Sequence, residues 1–392
     1  TLVVEGQRKI GQFALDFVDL EVPISGMPVQ VIRSYDSRRK DRAGDFGYGW
    51  ELGLKSGRYR RNRPTGYGWN IGAGFLPCDT AQEIRTHQSS VRLSDSEVYR
   101  FQPILTQRAA TTGGCFARVA FTFVDGPEPG ARLEVLGSDA VFWANASTIL
   151  VDPDSQVLFD PTRVRLTTRD GRVFDVDRGF GVTRVADPNG LTVTLSSSGI
   201  THSDGVSISF ERDVANRITR VVDNAGLALT YVYDASGDLV SFTDREAGVS
   251  RYSYAPGHFL EDVEDPRGVR AIRTEYGADG RVLRHLDAEG NAIEFDHDLA
   301  ENREVITNRL GGSRTLEYDP RGNVTLEIDE SGVSTTRTFD IEDHLLSETD
   351  ELGHTTTFTY DAGRNLASTT DPLGNVSRFT YNAKGHLLTA TD

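Results

Sequence analysis

A chain of 392 residues with 26% charged and 38% apolar side chains has the balance of an ordinary soluble protein and enough length for two or three domains. Its formal net charge of -16 argues against nucleic acid as a partner, because phosphate binding needs a basic surface, and no apolar run approaches the length of a membrane span. The only two cysteines, Cys78 and Cys115, are too few for a cysteine framework or a zinc site, and the sequence leaves open whether they pair or stay as two buried thiols.

Thr1 is not an initiator methionine and no signal segment follows it, so the chain is expected to be a fragment of a longer polypeptide. Residues 1–65 form a first block. Leu15, Phe17 and Val22, then Val29 to Ser37, read as strands separated by Pro23-Ile24-Ser25-Gly26. In Asp45-Phe46-Gly47-Tyr48-Gly49-Trp50 glycines alternate with rings, which predicts a tight backbone path with aromatics packed across it; a ligand-stacking platform is the competing reading. Arg58 to Arg63 read as a solvated, arginine-rich turn in preference to a phosphate site.

Residues 66–170 are an irregular β region, for which an inserted β-sandwich is one arrangement. Val91 to Phe101 alternates around a turn, and Val164-Arg165-Leu166 faces Val173-Phe174 across Arg169-Asp170-Gly171-Arg172, a predicted hairpin. Ala117 to Phe123 and Ala131 to Trp143 add strand-like stretches around a loop at Pro127-Glu128-Pro129-Gly130. Residues 171–222 slide into degenerate repeats, first at Asp187-Pro188-Asn189-Gly190, then in a unit starting near His202 with Gly205, Phe210 and Asp213 in register.

From residue 223 to 392 one pattern recurs eight times. Its landmark stands at Asp223, Asp244, Asp265, Asp287, Asn308, Asp329, Asp350, Asp371 and Asp392, in steps of 21 residues with a single 22. A turn glycine follows three residues later at Gly226, Gly268, Gly290, Gly311, Gly332, Gly353 and Gly374, whereas the Asp244 unit has Gly248, one place late. An aromatic recurs at Tyr233, Tyr254, Tyr276, Tyr318, Phe339, Tyr360 and Tyr381, with His297 the one replacement.

Twenty-one is three heptads, but two glycines per period, each costing about 1 kcal/mol in a helix, exclude a coiled coil. Leu227, Leu229, Tyr231 and Tyr233 instead fall on every second position, as do Phe358/Tyr360 and Phe379/Tyr381, which puts them on one face of a strand. Asp265-Pro266-Arg267-Gly268 and Asp371-Pro372-Leu373-Gly374 carry the residues of a type I turn, with Asp capping the following amides. Asp234-Ala235-Ser236-Gly237, Asp319-Pro320-Arg321-Gly322 and Asn382-Ala383-Lys384-Gly385 supply the second turn of the unit. Each unit is therefore a strand-turn-strand module that buries its apolar face only against its neighbours. The prediction is an all-β chain, a long antiparallel meander of hairpins curling into a curved sheet or partial hollow shell, preceded by an N-terminal β segment.

Units such as Phe358-Thr359-Tyr360-Asp361-Ala362-Gly363-Arg364-Asn365-Leu366 and Phe379-Thr380-Tyr381-Asn382-Ala383-Lys384-Gly385-His386-Leu387 resemble the YD repeats of Rhs proteins, of the BC component of Tc toxins and of teneurins. Arg33-Ser34-Tyr35-Asp36-Ser37 followed by Phe46-Gly47-Tyr48-Gly49-Trp50 is similar to the entry segment that precedes the repeats in many Rhs proteins. The resemblance implies hairpins spiralling into a hollow shell that, in bacterial members, encloses a C-terminal toxin. It implies a secreted or cell-surface location. As partners it implies the remaining repeats, core segment and C-terminal effector of the same polypeptide, and a secretion or delivery apparatus. Of the paired D-P-x-G self-cleavage motifs of that family, Asp187-Pro188-Asn189-Gly190-Leu191 matches only the first and lies before the array, so no catalytic residue is carried over.

The eight histidines show no metal-ligand spacing, and neither a G-x-S-x-G nor a phosphate loop occurs. A glycosidase needs two carboxylates facing each other across roughly 5 to 10 Å, whereas nearly every regularly placed Asp here is accounted for by a turn. Asp152 and Asp154 lack the Gly and distal Glu of a calcium loop. No catalytic, cofactor-binding or metal residue is therefore expected, and the chain is not expected to be an enzyme. Two readings follow: a structural shell, and an extracellular carbohydrate-binding or adhesion module in which exposed Tyr and Trp rings stack on glycans. They differ in whether the repeat tyrosines are packed or stand in an exposed row.

Overall fold

The computed structural model describes residues 11–24, 26–71, 78, 81–94, 97–111, 113–144, 147–341, 343–383 and 385–392. Among them there is no α-helix, and helical geometry is confined to two short 3-10 turns, Ser37–Arg39 and Gly53–Lys55. No helix is long and apolar enough to cross a membrane.

The repeats form the meander that their spacing predicts. A 24-stranded sheet begins at Arg132–Val135, takes in Arg163–Thr167, and from there pairs each strand with the next in sequence to Leu387–Thr391, always antiparallel. In the array the strands are five to seven residues long, as in Ala228–Tyr233, Leu239–Thr243 and Val249–Ala255. The hairpin ends are held as the turn residues require. The Gly226 amide donates to the Asp223 carbonyl at 3.0 Å, and Asp223 Oδ1 accepts from the Ala225 and Leu227 amides, each at 2.9 Å. The same pattern returns at Asp265, Asp287, Asn308, Asp329, Asp350 and Asp371. The other edge of the sheet carries the second set of turns, from Asp234-Ala235-Ser236-Gly237 to the one opened by Asn382.

Two smaller sheets precede the meander. Ala14–Val22, Val29–Asp36 and Trp50–Leu52 form an N-terminal three-stranded sheet. Ala140–Ala144, Gly114–Asp125, Val98–Thr111, Ser89–Arg92 and Arg58–Arg61 form a five-stranded one. The segment 66–170 is thus divided, since two of its strands join the long sheet and the others build the five-stranded sheet and a short Trp69–Ile71/Ala81–Glu83 pair. Cys78 and Cys115, whose state the sequence left open, are joined by a disulfide beside Trp69, Trp143, Leu150 and Phe159.

The N-terminal sheet sets the curvature. Leu15, Leu20, Val29, Val31, Tyr35 and Trp50 share one apolar cluster with residues of ten consecutive strands of the long sheet, from Val193 and Leu195 to Val282. Ten strands laid flat span about 45 Å, whereas a three-stranded sheet is roughly 10 to 15 Å wide. The long sheet must therefore wrap around the small one, and the face bearing Leu229, Tyr231, Phe242 and Tyr252 is its concave face.

The wrap goes far enough for the ribbon to meet itself. The hairpin turn at Thr168–Gly171 lies against the turns at 361–365 and 382–385, about twenty strands later. At about 4.8 Å per strand that is a circumference of roughly 95 Å and a diameter of about 30 Å between backbones.

Candidate functional site

The feature that repeats most strictly is the aromatic that ends the first strand of each unit. Its hydroxyl reaches back across the hairpin stack. Tyr233 donates to the Ile218 carbonyl, Tyr254 to Leu239 at 2.9 Å, Tyr276 to Leu260 at 2.7 Å and Tyr360 to Leu345 at 3.0 Å. A β-bulge immediately before the ring, between Val232/Tyr233, Ser253/Tyr254, Glu275/Tyr276, Glu317/Tyr318, Thr338/Phe339, Thr359/Tyr360 and Thr380/Tyr381, turns the side chain toward the preceding unit. Burial pushes the phenols of Tyr233, Tyr254, Tyr276 and Tyr318 well above their ordinary range, so they remain hydrogen-bond donors at any physiological pH.

In two units without the tyrosine another donor takes over. His297 Nε2 lies 2.6 Å from the Val282 carbonyl, the equivalent acceptor, in a unit that pairs His297 with Glu304 without a bulge. In the degenerate repeat before the array, Arg212 occupies the aromatic position 21 residues before Tyr233, and its Nε donates to the Ser197 carbonyl at 2.6 Å. In that same unit His202 stands for the landmark Asp, and its Nδ1 accepts from the Asp204 amide at 3.1 Å, as the carboxylates do elsewhere. Tyr318 departs from the rule, its hydroxyl lying 3.2 Å from Glu304 Oε2, and Phe339 carries no hydroxyl.

All the repeat aromatics sit on the concave side. Tyr318 is buried, and Tyr233, Tyr254, Tyr276, Phe339, Tyr360 and Tyr381 are half-buried. The turn glycines Gly226, Gly268, Gly290, Gly311, Gly332, Gly353 and Gly374 stand at the edge, each in the left-handed region with φ between 80° and 89°. In the Asp244 unit Ala247 holds that conformation instead, at φ 65°.

The N-terminal block fills the hollow under the first half of the wrap. Phe46 and Trp50 are fully buried, Tyr48 stacks on His258 at 3.9 Å, and Trp50 Nε1 donates to the Tyr254 hydroxyl at 2.8 Å. The rings of this glycine-aromatic stretch are therefore packing groups. At the centre lies Arg33, fully buried, with its guanidinium between 4.7 and 5.1 Å from the ring centres of Trp50, Phe17, Tyr252 and Phe242. Arg33 donates to both Asp19 carboxylate oxygens at 2.8 and 3.0 Å and to the Tyr252 hydroxyl at 2.8 Å, and Tyr231 donates to Asp19. Sequence reasoning missed this residue, although its signal is present: Val29, Val31, Arg33 and Tyr35 alternate onto the buried face of one strand.

Among the described residues, the apolar cluster shared with this block ends at Phe295, although Leu316 and Tyr318 beyond it are buried as well. The concave face continues with Phe339, Phe358, Tyr360, Phe379 and Tyr381, half-buried and outside the apolar cluster. The opposite face of the same strands is polar, with hydroxyl pairs Thr338–Ser347, Thr359–Ser368 and Thr380–Thr389 at 2.6 to 2.7 Å. Among the described residues no group of three His, Cys, Asp or Glu side chains is placed to hold a metal. A cavity of about 410 Å³ opens beside Asp234, Asp238 and His258, but the His258 ring is held by Asp238 at 2.8 Å and stacked on Tyr48.

This architecture defines a hairpin-repeat wall, polar outside and aromatic inside, with its own N-terminal block packed on the concave face of its first half. Two sequence families match it: the RHS repeat, over residues 339–376 and 362–392, and a domain of unknown function (DUF6531) over residues 9–57. These matches support the Rhs/YD-repeat family for this chain.

None of the curated proteins matches the sequence. Among solved structures it is similar to the TcdB2–TccC3 complex, with 12% identity and a TM-score of 0.39 over 92% of this chain and 24% of that one. It is also similar to the Photorhabdus luminescens Tc holotoxin pore, with 13% identity and a TM-score of 0.37 over 94% of this chain and 24% of that one. The TcdB2–TccC3–Cdc42 structure gives 10% identity and a TM-score of 0.37 over 78% of this chain and 21% of that one. The chain spans about a quarter of the length of these structures or less.

Proposed function

We propose that this chain is a stretch of the wall of a hollow Rhs-type shell, whose concave face confines or presents an effector carried C-terminal to the repeats in the same polypeptide. The observation that carries the proposal is the change in what covers the concave face. Among the described residues the N-terminal block shares its apolar cluster with the wall as far as Phe295, and from Phe339 on the aromatic rows of the last repeats stay half-open. Half-open aromatic surface on the inside of a curve suits a polypeptide with its own apolar groups exposed.

Size points the same way. A native domain of 100 residues has a radius of gyration of about 13 Å and a diameter of about 33 Å, more than the roughly 30 Å between backbones estimated for the wrap. A confined chain would be held expanded along the tube or incompletely folded. The Cys78–Cys115 disulfide suits an oxidising, extracytoplasmic destination, which supports export.

The packed tyrosines favour the wall over glycan stacking. Their rings lie against neighbouring strands and their hydroxyls are spent on main-chain carbonyls. The test is limited proteolysis of the complete gene product in its native state. The expected result is that segments C-terminal to the repeats resist protease until the shell is denatured. Cleavage of those segments as fast as in isolation, or binding on a glycan array that disappears when a repeat tyrosine is changed, would overturn the reading.

A further inference from the structure

The place where the ribbon meets itself departs from the repeat rule in a specific way. Arg169, in the turn between Arg163–Thr167 and Val173–Asp177, points across to two turns of the opposite edge, one revolution later. Its Nε donates to the Ala383 carbonyl at 2.9 Å, Nη1 to the Gly363 carbonyl at 2.9 Å and to Asn365 Oδ1 at 3.3 Å, and Nη2 to the Asn382 carbonyl at 3.3 Å. Asn365 is oriented for this by Asp361, whose two carboxylate oxygens accept from Asn365 Nδ2 at 3.0 and 2.8 Å.

The turn at Asp361 is altered where Arg169 touches it. In the equivalent turns the left-handed position is glycine at Gly237, Gly322 and Gly385, with φ of 92°, 94° and 81°, and a residue with a Cβ at Asn216, His258 and Asp343, with φ of 64°, 65° and 69°. In Asp361-Ala362-Gly363-Arg364 the glycine stands one place earlier and Arg364 takes the left-handed position at φ 62°, a conformation that strains any residue with a Cβ. Two contacts accompany this arrangement. A Cβ at Gly363 would lie 2.8 Å from Asn365 Nδ2 and 2.9 and 3.0 Å from Arg169 Nη1 and Nη2, so a larger residue there displaces these side-chain ends from their present hydrogen bonds. Arg364, turned by its positive φ, reaches Asp125 Oδ1 at 3.2 Å and the Gly126 carbonyl, in the loop between the five-stranded sheet and the first strand of the long one.

We propose that Arg169 and Arg364 form a clasp that locks the second revolution of the hairpin ribbon onto the first, so that this contact sets the closure of the wall and is the line along which it opens. The acceptors of Arg169 are three main-chain carbonyls and a side-chain amide, so a fork of fixed donors is required and a point charge does not replace it. The clasp concerns only the wall, and does not depend on whether the shell holds an effector.

The test is hydrogen–deuterium exchange on the full chain, read at the amides of 361–365 and 382–385, together with the radius of gyration by small-angle scattering. Arg169→Ala and Gly363→Ala should each speed exchange in both turns at least about ten-fold and expand the particle. Strands far from the contact, such as Ala228–Tyr233, should keep wild-type exchange. Arg267→Ala, at an exposed turn whose arginine pairs with its own Asp265, should change neither measurement. If Arg169→Ala fails to fold, Arg169→Lys serves, since it keeps the charge and loses the fork. Wild-type exchange in both turns for a folded Arg169 variant, or for Gly363→Ala, overturns the proposal. Loss of protease protection of an effector without any change in these turns would count against the function proposed above and leave the clasp standing.

Discussion

Tyr254 shows at the residue scale why the repeat needs a hydroxyl as well as a ring. Its oxygen donates to the Leu239 carbonyl and accepts from Trp50 Nε1, so it joins one repeat to the one before and to the N-terminal block. Tyr254→Phe keeps the ring and strands both partners in a buried interface, which should lower stability by about 2 kcal/mol in urea denaturation. The His297 and Arg212 substitutions show the same requirement met by other donors, and this was not legible in the sequence, where a histidine in a tyrosine slot reads only as a ring of similar shape. The turn residues were legible because their chemistry is local: an Asp caps amides two and four places ahead of it whatever the fold. One of those turns is imperfect. Ala247 sits at φ 65° where the other units have glycine, and Ala247→Gly should raise stability by about 0.5 to 1 kcal/mol, the relief of backbone strain less the extra freedom of the unfolded chain. A thermal melt shifted upward checks it; an unchanged or lower midpoint would show that the strain is already relaxed.

At the scale of elements, periodicity revealed the array and left residues 66–170 obscure, for a physical reason. Strands that pair with their sequence neighbours declare themselves through short-range spacing, whereas Arg132–Val135 pairs with Arg163–Thr167 across a 27-residue gap that carries no local mark. The same holds for the cysteines, which lie 37 residues apart in sequence and meet only through the folded sheet. Reduction of that bridge should destabilise the five-stranded unit by about 3 to 4 kcal/mol through the entropy of its loop, with little effect on exchange in the strands after Asp223. The packing of the N-terminal sheet on the wall also carries a pH dependence. His285 lies against Phe13 at 5.0 Å and beside Thr274 Oγ1, and burial pushes its pKa from 6.5 down to about 4. Above pH 6.5 the ring is neutral in both states and costs nothing. Below it the unfolded chain takes up a proton that the folded one refuses, so stability should fall between pH 6.5 and 4 by up to about 3 kcal/mol. His285→Phe should flatten that slope, even though the unpaired Thr274 hydroxyl lowers stability at every pH.

For the whole molecule, the question is what a strip of nearest-neighbour hairpins gains by being wound. Within the strip each strand answers only to the two beside it, so its stability is close to a sum of local terms. Winding adds contacts that depend on the number of strands in a revolution, and these can be separated from the local terms by deletion. Removing residues 329–349 takes out one unit of 21 residues and brings Asp350 to the position of Asp329, with strand direction, facing and turn chemistry all conserved. The sheet should still form, with the same far-ultraviolet signal per residue and, because the N-terminal block sets its curvature, with the same number of strands in a revolution. Arg169 would then face the turn opened by Asn382 where it now meets the one opened by Asp361, and its contact with Gly363 should be lost. Removing residues 329–338 instead deletes a single strand, reverses the direction of every strand after it and throws Phe358 and Phe379 onto the outer face. That variant should fail to fold or aggregate. Equal loss of structure in both deletions would mean that the units are not interchangeable pieces of one wall, whereas a folded first variant with fast exchange at 361–365 separates the stability of the strip from the stability of its closure.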